Sequence, residues 1–205
     1  MTTNESFPKF DLPVDFIADD SITGDILNYY GNFPCKIKAG VFMLCTEGMV
    51  RATINLLEIV IRKNDFIVVL PNSFIQIHEV SSDTRISFAG FSSDFMLSGN
   101  YVEILLDFMP MILNSPVISL QEDVAGLYRN VYLLLIRAYT LPHSLENKEI
   151  IRSVLAIFLQ GTKELYKRYG KKLDEPLRRE QELYRQFIQL LICLLYTSDA
   201  ADDLI

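Results

Sequence analysis

The 205-residue chain has no tryptophan, only two histidines, His78 and His143, and only three cysteines, Cys35, Cys45 and Cys193. Each scarcity excludes something. Three widely spaced cysteines with no CxxC give neither a disulfide framework nor a thiolate metal site, and point to buried or idle thiols in a reducing cytoplasm. Zinc or iron needs three or four convergent ligands, which two isolated histidines do not provide. GxSxG, Walker-type and GxGxxG sequences are all missing, so no familiar nucleophile or phosphate-binding loop can be placed. No apolar run reaches the 18 or so residues of a membrane span. The N-terminus MTTNESFPKFDLP lacks the basic and apolar regions of a secretory signal. Basic residues are also short: 19 Lys and Arg face 26 Asp and Glu, a net charge of -7 with a pI near 4.9. Taken alone, that balance argues against a free-standing nucleic-acid binder.

What is present is apolar. Half of the residues are hydrophobic and 22% are charged, enough for one large domain, or a domain with an appendage, around a sizeable core. From Cys35 to Cys45 the odd positions are apolar or small and Lys36 and Lys38 fall between them, a period of two that predicts a half-buried strand. Val50, Ala52 and Ile54 alternate with Arg51 and Thr53 after a Glu47-Gly48 turn. Ile59 and Ile61, the continuous apolar run Phe66–Leu70, and the runs Phe74–Val80 and Arg85–Phe91 follow, divided by Lys63-Asn64-Asp65, Pro71-Asn72-Ser73 and Ser81-Ser82-Asp83. Turns this frequent predict an antiparallel sandwich or barrel.

After Gly99 the period becomes helical. Tyr101–Asn114 predicts a helix kinked or divided at Pro110. Ser119 and Glu122 have capping-box spacing before a stripe of Val124, Leu127, Val131, Leu134, Leu135 and Ala138. A second stripe runs Ile151, Val154, Leu155, Phe158, Thr162, Leu165, Tyr166, Tyr169 and stops at Gly170. A last helix is predicted from Leu177, with Leu183, Phe187, Ile188 and Leu191 on one face. The chain thus divides into an α+β arrangement: a strand-rich unit over 1–98, a helical region over 99–175, a further helix over 176–192, and a tail over 193–205.

The tail reads CLLYTSDAADDLI, and three acids with no base supply three of the seven excess negative charges. Its residues Cys193–Asp203 resemble the in-frame translation of a transposase adapter used in sequencing libraries. The expectation is therefore a non-native tail on a gene cut short after codon 192, which the coding DNA across codons 193–203 decides. Without the tail the net charge is -4.

Three segments carry a family resemblance: VFMLCTEGMVRATINLLEIVIRKNDFIVVLPNSFIQIHEVSSD (Val41–Asp83), FAGFS (Phe88–Ser92) and REQELYRQFIQLL (Arg179–Leu191). Together they resemble the N-terminal part of an AraC-type transcriptional regulator. The resemblance implies a cupin-like β-barrel, helices used in dimerisation, and a C-terminal domain with two helix-turn-helix motifs, of which Arg179–Leu191 resembles the opening helix. It implies a one-component regulator that is a homodimer, binds promoter DNA through recognition helices this chain lacks, responds to a small-molecule effector and needs no cofactor. The chain as given is then expected to show no sequence-specific DNA affinity and no enzymatic activity. The alternative is a stand-alone cupin-fold small-molecule binding protein or enzyme whose helices only buttress the barrel.

Candidate residues follow from that picture. The barrel interior either holds an effector, with Phe42, Phe66, Phe74, Phe88 and Phe91 supplying aromatic bulk and His78 a hydrogen-bonding group, or is a structural, ligand-free barrel filled by its own side chains. A metal at His78 would need the His-x-His pattern shared by metal-binding cupins, which is missing. The stripe through Ile151, Val154, Leu155, Phe158 and Leu165 has two readings, packing on the barrel or a dimer seam. Lys163, Lys167, Arg168, Lys171 and Lys172 cluster at a helix C-terminus, where cations are favourable without any DNA nearby.

Overall fold

The computed structural model describes residues 9, 10, 12, 14–31, 33–97, 101–140 and 148–169, with isolated positions between 179 and 190. His143, Lys171, Lys172, Cys193, most of the helix expected from Leu177 and the whole tail lie outside the described residues.

Among the described residues the β-rich runs form ten strands: β1 (Lys9–Phe10), β2 (Phe16–Thr23), β3 (Cys35–Ile37), β4 (Gly40–Glu47), β5 (Met49–Ile54), β6 (Leu57–Arg62), β7 (Asp65–Val69), β8 (Ser73–Val80), β9 (Arg85–Phe91) and β10 (Val117–Ser119). One sheet has the order β1-β3-β8-β5-β6 and the other β10-β7-β4-β9-β2. Every pairing is antiparallel except β1 with β3. Among the described residues five continuous helices accompany them: α1 (Gly24–Tyr30), α2 (Ser93–Leu97), α3 (Tyr101–Asn114), α4 (Glu122–Thr140) and α5 (Lys148–Tyr169). The architecture is α+β, an antiparallel barrel of two facing sheets followed by a helical layer.

Tight turns set the register. Gly48 joins β4 to β5 at φ 78°, and a Cβ there would fall 2.5 Å from the Thr84 Cα, so both the dihedral and the space demand glycine. Asn55 and Leu56 turn β5 into β6 with φ of 48° and 71°. Two positive φ values are the mark of a type I′ hairpin, which relieves strand twist but strains a leucine. Asn55 anchors this turn to the start of β8, accepting from the Phe74 N–H at 2.9 Å and donating to Ser73 Oγ at 2.9 Å.

The strands enclose one core and cover another. Between the sheets lie Cys45, Val50, Ala52, Ile54, Ile61, Ile67, Val69 and Ile86. On the opposite face of the β7-β4-β9-β2 sheet, Phe16, Phe42, Leu44, Phe66, Val68, Ala89 and Phe91 join a larger cluster with the helices. β4 and β7 are therefore apolar on both faces, and all five residues of β7 are buried. The helical region is tied into the barrel, since β10 pairs with β7.

Four local expectations are corrected. The period-two run Cys35–Cys45 is two strands, β3 and β4, in different sheets. α3 runs through Pro110 as one helix rather than two pieces. Phe108, Met109 and Ile112 are buried around the proline, and this packing holds the helix across the missing hydrogen bond. No capping box forms at Ser119, because Ser119 pairs with Asp65 in the sheet and α4 starts later, with Ala125 N–H donating to the Gln121 carbonyl. Finally, α4 buries Ala125, Tyr128, Tyr132 and Leu135, whereas Leu127 and Leu134 of the expected stripe are 61% and 55% exposed. The helix is apolar nearly all round, and the large rings win the sheet-facing positions because they bury more area.

Candidate functional site

Cross-strand partners share a face, so the register assigns each candidate to the inside or the outside of the barrel. Val41, Met43 and Cys45 of β4 face inwards with Ile67 and Val69; Phe42 and Leu44 face the helices. Phe42 and Phe66, expected inside the barrel, are thus on its helix-covered outer face. Their rings lie 6.5 Å apart, and both meet Phe158 of α5, at 4.9 and 5.9 Å between centroids. Phe91 joins them, 6.0 Å from Phe42.

Phe74 and His78 are also outside. Ile75 and Ile77 of β8 pack into the inner core, which turns Phe74 to the solvent face, where Lys36 Nζ sits 5.9 Å from the ring centroid. His78 is exposed, falls at the irregular register between β5 and β8, and meets Thr53 Oγ1 through Nε2 at 2.7 Å. An Arg51–Glu79 pair at 3.3 Å lies beside it. Among the described residues no group of three His, Cys, Asp or Glu side chains could hold a metal ion. Of the six expected pocket residues only Phe88 belongs to the inner face, as the direct partner of Met43.

On the inner face Cys45, Val50, Ile54, Ile61, Ile67, Val69 and Ile86 are each at most 4% exposed. Cys45 donates to the Glu47 carbonyl at 3.2 Å, and burial, helped by the Asp65 charge, pushes its thiol up to about 12. Cys45 is therefore no nucleophile at neutral pH. Around Ile37, Val41, Met43, Ile75 and Phe88, inward-facing side chains remain only partly buried. α1 packs against β2 and β8, with Leu27 on the inner core and Gly31 against Ile77. Cys35 shares this face, and burial raises its thiol as well.

The expected dimer residues divide. Leu155, Phe158 and Leu165 are buried at 0%, 2% and 6% in the core between barrel and helices, and Ile151 and Val154 are partly buried against it. This is an intramolecular seam. Phe158 is its centre, meeting Phe42, Phe66, Tyr128 and Tyr132. Burial pushes the phenols of Tyr128, Tyr132 and Tyr166 upward, so all three stay neutral. Exposed apolar side chains lie on α4, at Leu127 and Leu134 on one stripe with Leu133 beside it, and on α5 at Ile157, outside the expected stripe. The basic residues of α5 are partly neutralised within the fold: Lys163 pairs with Asp107 of α3, and Lys167 with Glu164 at 2.8 Å.

A polar clamp fastens α4 to the barrel. Glu122 accepts from Asn64 Nδ2 and from Arg129, each at 2.6 Å, and these two bonds hold its carboxyl below the usual range. The Asn64 carbonyl accepts from Leu120 N–H at 3.0 Å, so one turn of the barrel fixes where α4 begins.

No protein-family model matches the chain, and no curated protein matches it. Solved structures do. The chain is similar to ToxT from Vibrio cholerae O395 bound to (E)-4-(8-methylnaphthalen-1-yl)but-3-enoic acid, at 13% identity and a TM-score of 0.39, over 86% of this chain and 60% of that one. It is similar to the AraC-like transcriptional activator CuxR at 12% identity and a TM-score of 0.45, over 75% of this chain and 51% of that one. It is also similar to an unsaturated-fatty-acid-bound ToxT from Vibrio cholerae strain SCE256, at 12% identity and a TM-score of 0.37, over 85% and 57%. The chain spans between half and three fifths of the length of these proteins. Among the described residues no helix is long and apolar enough to cross a membrane.

Proposed function

We propose that this chain is the effector-sensing and dimerisation part of a cytoplasmic, one-component transcription regulator, a binding module rather than an enzyme. One observation carries the reading: the barrel's inner core shares β4, β7 and β9 with a second core that continues into α4 and α5. A ligand between the sheets would press on Val41 and Met43, whose neighbours Phe42 and Leu44 touch the helical layer from the other side of the same strand. Occupancy can thus bias the position of the helices, which is what a ligand-controlled dimer requires. The segments Val41–Asp83, Phe88–Ser92 and Arg179–Leu191, which resemble AraC-type regulators, support it. Promoter DNA is assigned to a helix-turn-helix domain outside the barrel and the helices described.

The dimer surface in this reading is the Leu127/Leu134 face of α4 against a second copy, since the α5 stripe is spent inside the fold. The test is to fuse the full chain to a DNA-binding domain that represses a reporter only as a dimer. Repression, lost in a Leu127→Lys/Leu134→Lys double variant of unchanged melting temperature, is the expected result. A fusion that never represses, from a chain that sediments as a strict monomer at high concentration, overturns the reading.

A further inference from the structure

We infer that the free edge of β6 is a second self-association surface, on which two copies of this chain pair antiparallel about Val60 into one continuous sheet. This goes beyond the helical dimer seam proposed above and stands on different residues. β6 ends the sheet β1-β3-β8-β5-β6, and its one strand partner among the described residues is β5. The two-residue turn Asn55-Leu56 makes Ile54 and Leu57 a hydrogen-bonded pair, and the ladder alternates from there. Leu57, Ile59 and Ile61 therefore spend their backbone groups on β5, and those of Glu58, Val60 and Arg62 point away from the sheet. Arg62 N–H is taken by the Asp65 carboxylate at 2.7 Å. Among the described residues the outward backbone groups of Glu58 and Val60 have no protein partner.

Charge on an exposed edge ordinarily guards it against pairing. Here the spacing of the charges does the opposite. Glu58, Val60 and Arg62 are exposed on the outer face, and neither Glu58 nor Arg62 forms an ion pair among the described residues. A two-fold axis at Val60 sets Glu58 of each copy opposite Arg62 of the other, with the two valines meeting between the charge pairs. An axis at residue 58 or 62 would oppose like charges, and one at 59 or 61 would leave both charges without an opposite. Directly across two strands, opposite charges attract and like charges repel. On the inner face the same axis brings Ile59, which is only partly buried at the end of its sheet, beside Ile61 of the other copy. The Val60 N–H and C=O of each copy bond across the axis, and each Glu58 N–H meets the Arg62 carbonyl opposite. Backbone pairing, apolar contact and charge thus agree on one register, and the occupant they fit is a second copy of this chain. An edge of 6 residues is a small contact, so the pair is weak, with a Kd on the order of 100 µM.

The test is sedimentation equilibrium of the full chain carrying Leu127→Lys/Leu134→Lys, which removes the α4 seam, from about 10 µM to about 1 mM. A reversible monomer–dimer equilibrium is expected. Glu58→Arg alone, or Arg62→Glu alone, opposes like charges on both sides of the axis and should weaken association at least about ten-fold. An equimolar mixture of the two single variants restores an opposite charge in both pairs and should associate within about three-fold of the starting chain. Both positions are exposed, and unchanged melting curves check the folds; if either variant melts early, Glu58→Lys or Arg62→Asp replaces it. A strict monomer at the highest concentration overturns the edge pairing. So does association that ignores both single substitutions, or a mixture no tighter than its components, which would leave the charges as guards of the edge. The dimer-dependent reporter works at concentrations too low to populate this pair, so repression should be indifferent to Glu58→Arg. Charge-swap rescue without repression rejects the regulator and keeps the edge, and repression without rescue does the reverse.

Discussion

Truncating Phe158 to alanine tests whether α5 belongs to the fold or to an interface. Phe158 is 2% exposed and lies within 6 Å, centroid to centroid, of four aromatic rings, three of them steeply inclined to it. Removing a buried phenyl group costs about 3–5 kcal/mol through lost transfer free energy and the cavity left behind. Edge-to-face pairs add about 0.5–1.5 kcal/mol each beyond area, which places this site in the upper half of that range. Small domains have about 5–15 kcal/mol in total, so Phe158→Ala should remove about a quarter of the stability or more. The assay is urea unfolding followed by far-ultraviolet circular dichroism at two protein concentrations tenfold apart. The midpoint should fall by the same amount at both, because the lost contacts are intramolecular. Phe158→Leu should recover more than half of the loss. A loss under about 1 kcal/mol, or one that vanishes on concentrating the protein, would refute the packing argument and return α5 to the dimer seam.

Other outcomes follow from backbone and thiol chemistry. Leu56→Gly should raise stability by about 1 kcal/mol, since an exposed leucine held at positive φ is strained and glycine is not, and an unchanged unfolding midpoint would show the turn to be relaxed. Gly48→Ala should destabilise by at least about 2 kcal/mol in the same assay, because the new Cβ meets the Thr84 backbone as well as an unfavourable dihedral; a loss under half of that would mean the turn rearranges freely. Cys45 carries a raised folded-state pKa, so its contribution is intact below the unfolded thiol value and declines as pH rises from about 9 towards 12, at up to about 1.4 kcal/mol per pH unit. Stability measured from pH 8 to 10 should fall with pH in the parent chain and fall less in Cys45→Val.

The sequence exposes much of the barrel because strands announce themselves by period two and by turn residues. β5, β6 and β8 alternate since one of their faces meets solvent. β4 and β7 were legible in another way, through apolar residues on both faces, and that doubled pattern is the signal that a helical layer covers one sheet and not the other. Read in that way, Phe42 and Phe66 would have been placed under the helices from the start. Side-chain alternation fixes that neighbours point apart; it does not say which direction is inside. The α4 stripe failed for a related reason. With Val, Leu, Ile and Tyr distributed around the helix, periodicity offers several faces of similar hydrophobicity, and only contact with Phe66 and Phe158 selects Tyr128 and Tyr132.

By itself, then, the sequence determines the local geometry: where strands and helices run, which turns need Gly48 or Asn55, and that no metal-binding or nucleophilic constellation is spelled out in its motifs. These are properties of short stretches and of residue types. The tertiary structure alone decided that Phe42, Phe66 and Phe91 pack outside the barrel, that the core between the sheets is largely aliphatic, and that the stripe from Leu155 to Leu165 of α5 is spent internally while α4 keeps Leu127 and Leu134 exposed. Those outcomes depend on which of two faces each element turns to its neighbours, a choice made by the summed burial of residues far apart in the chain.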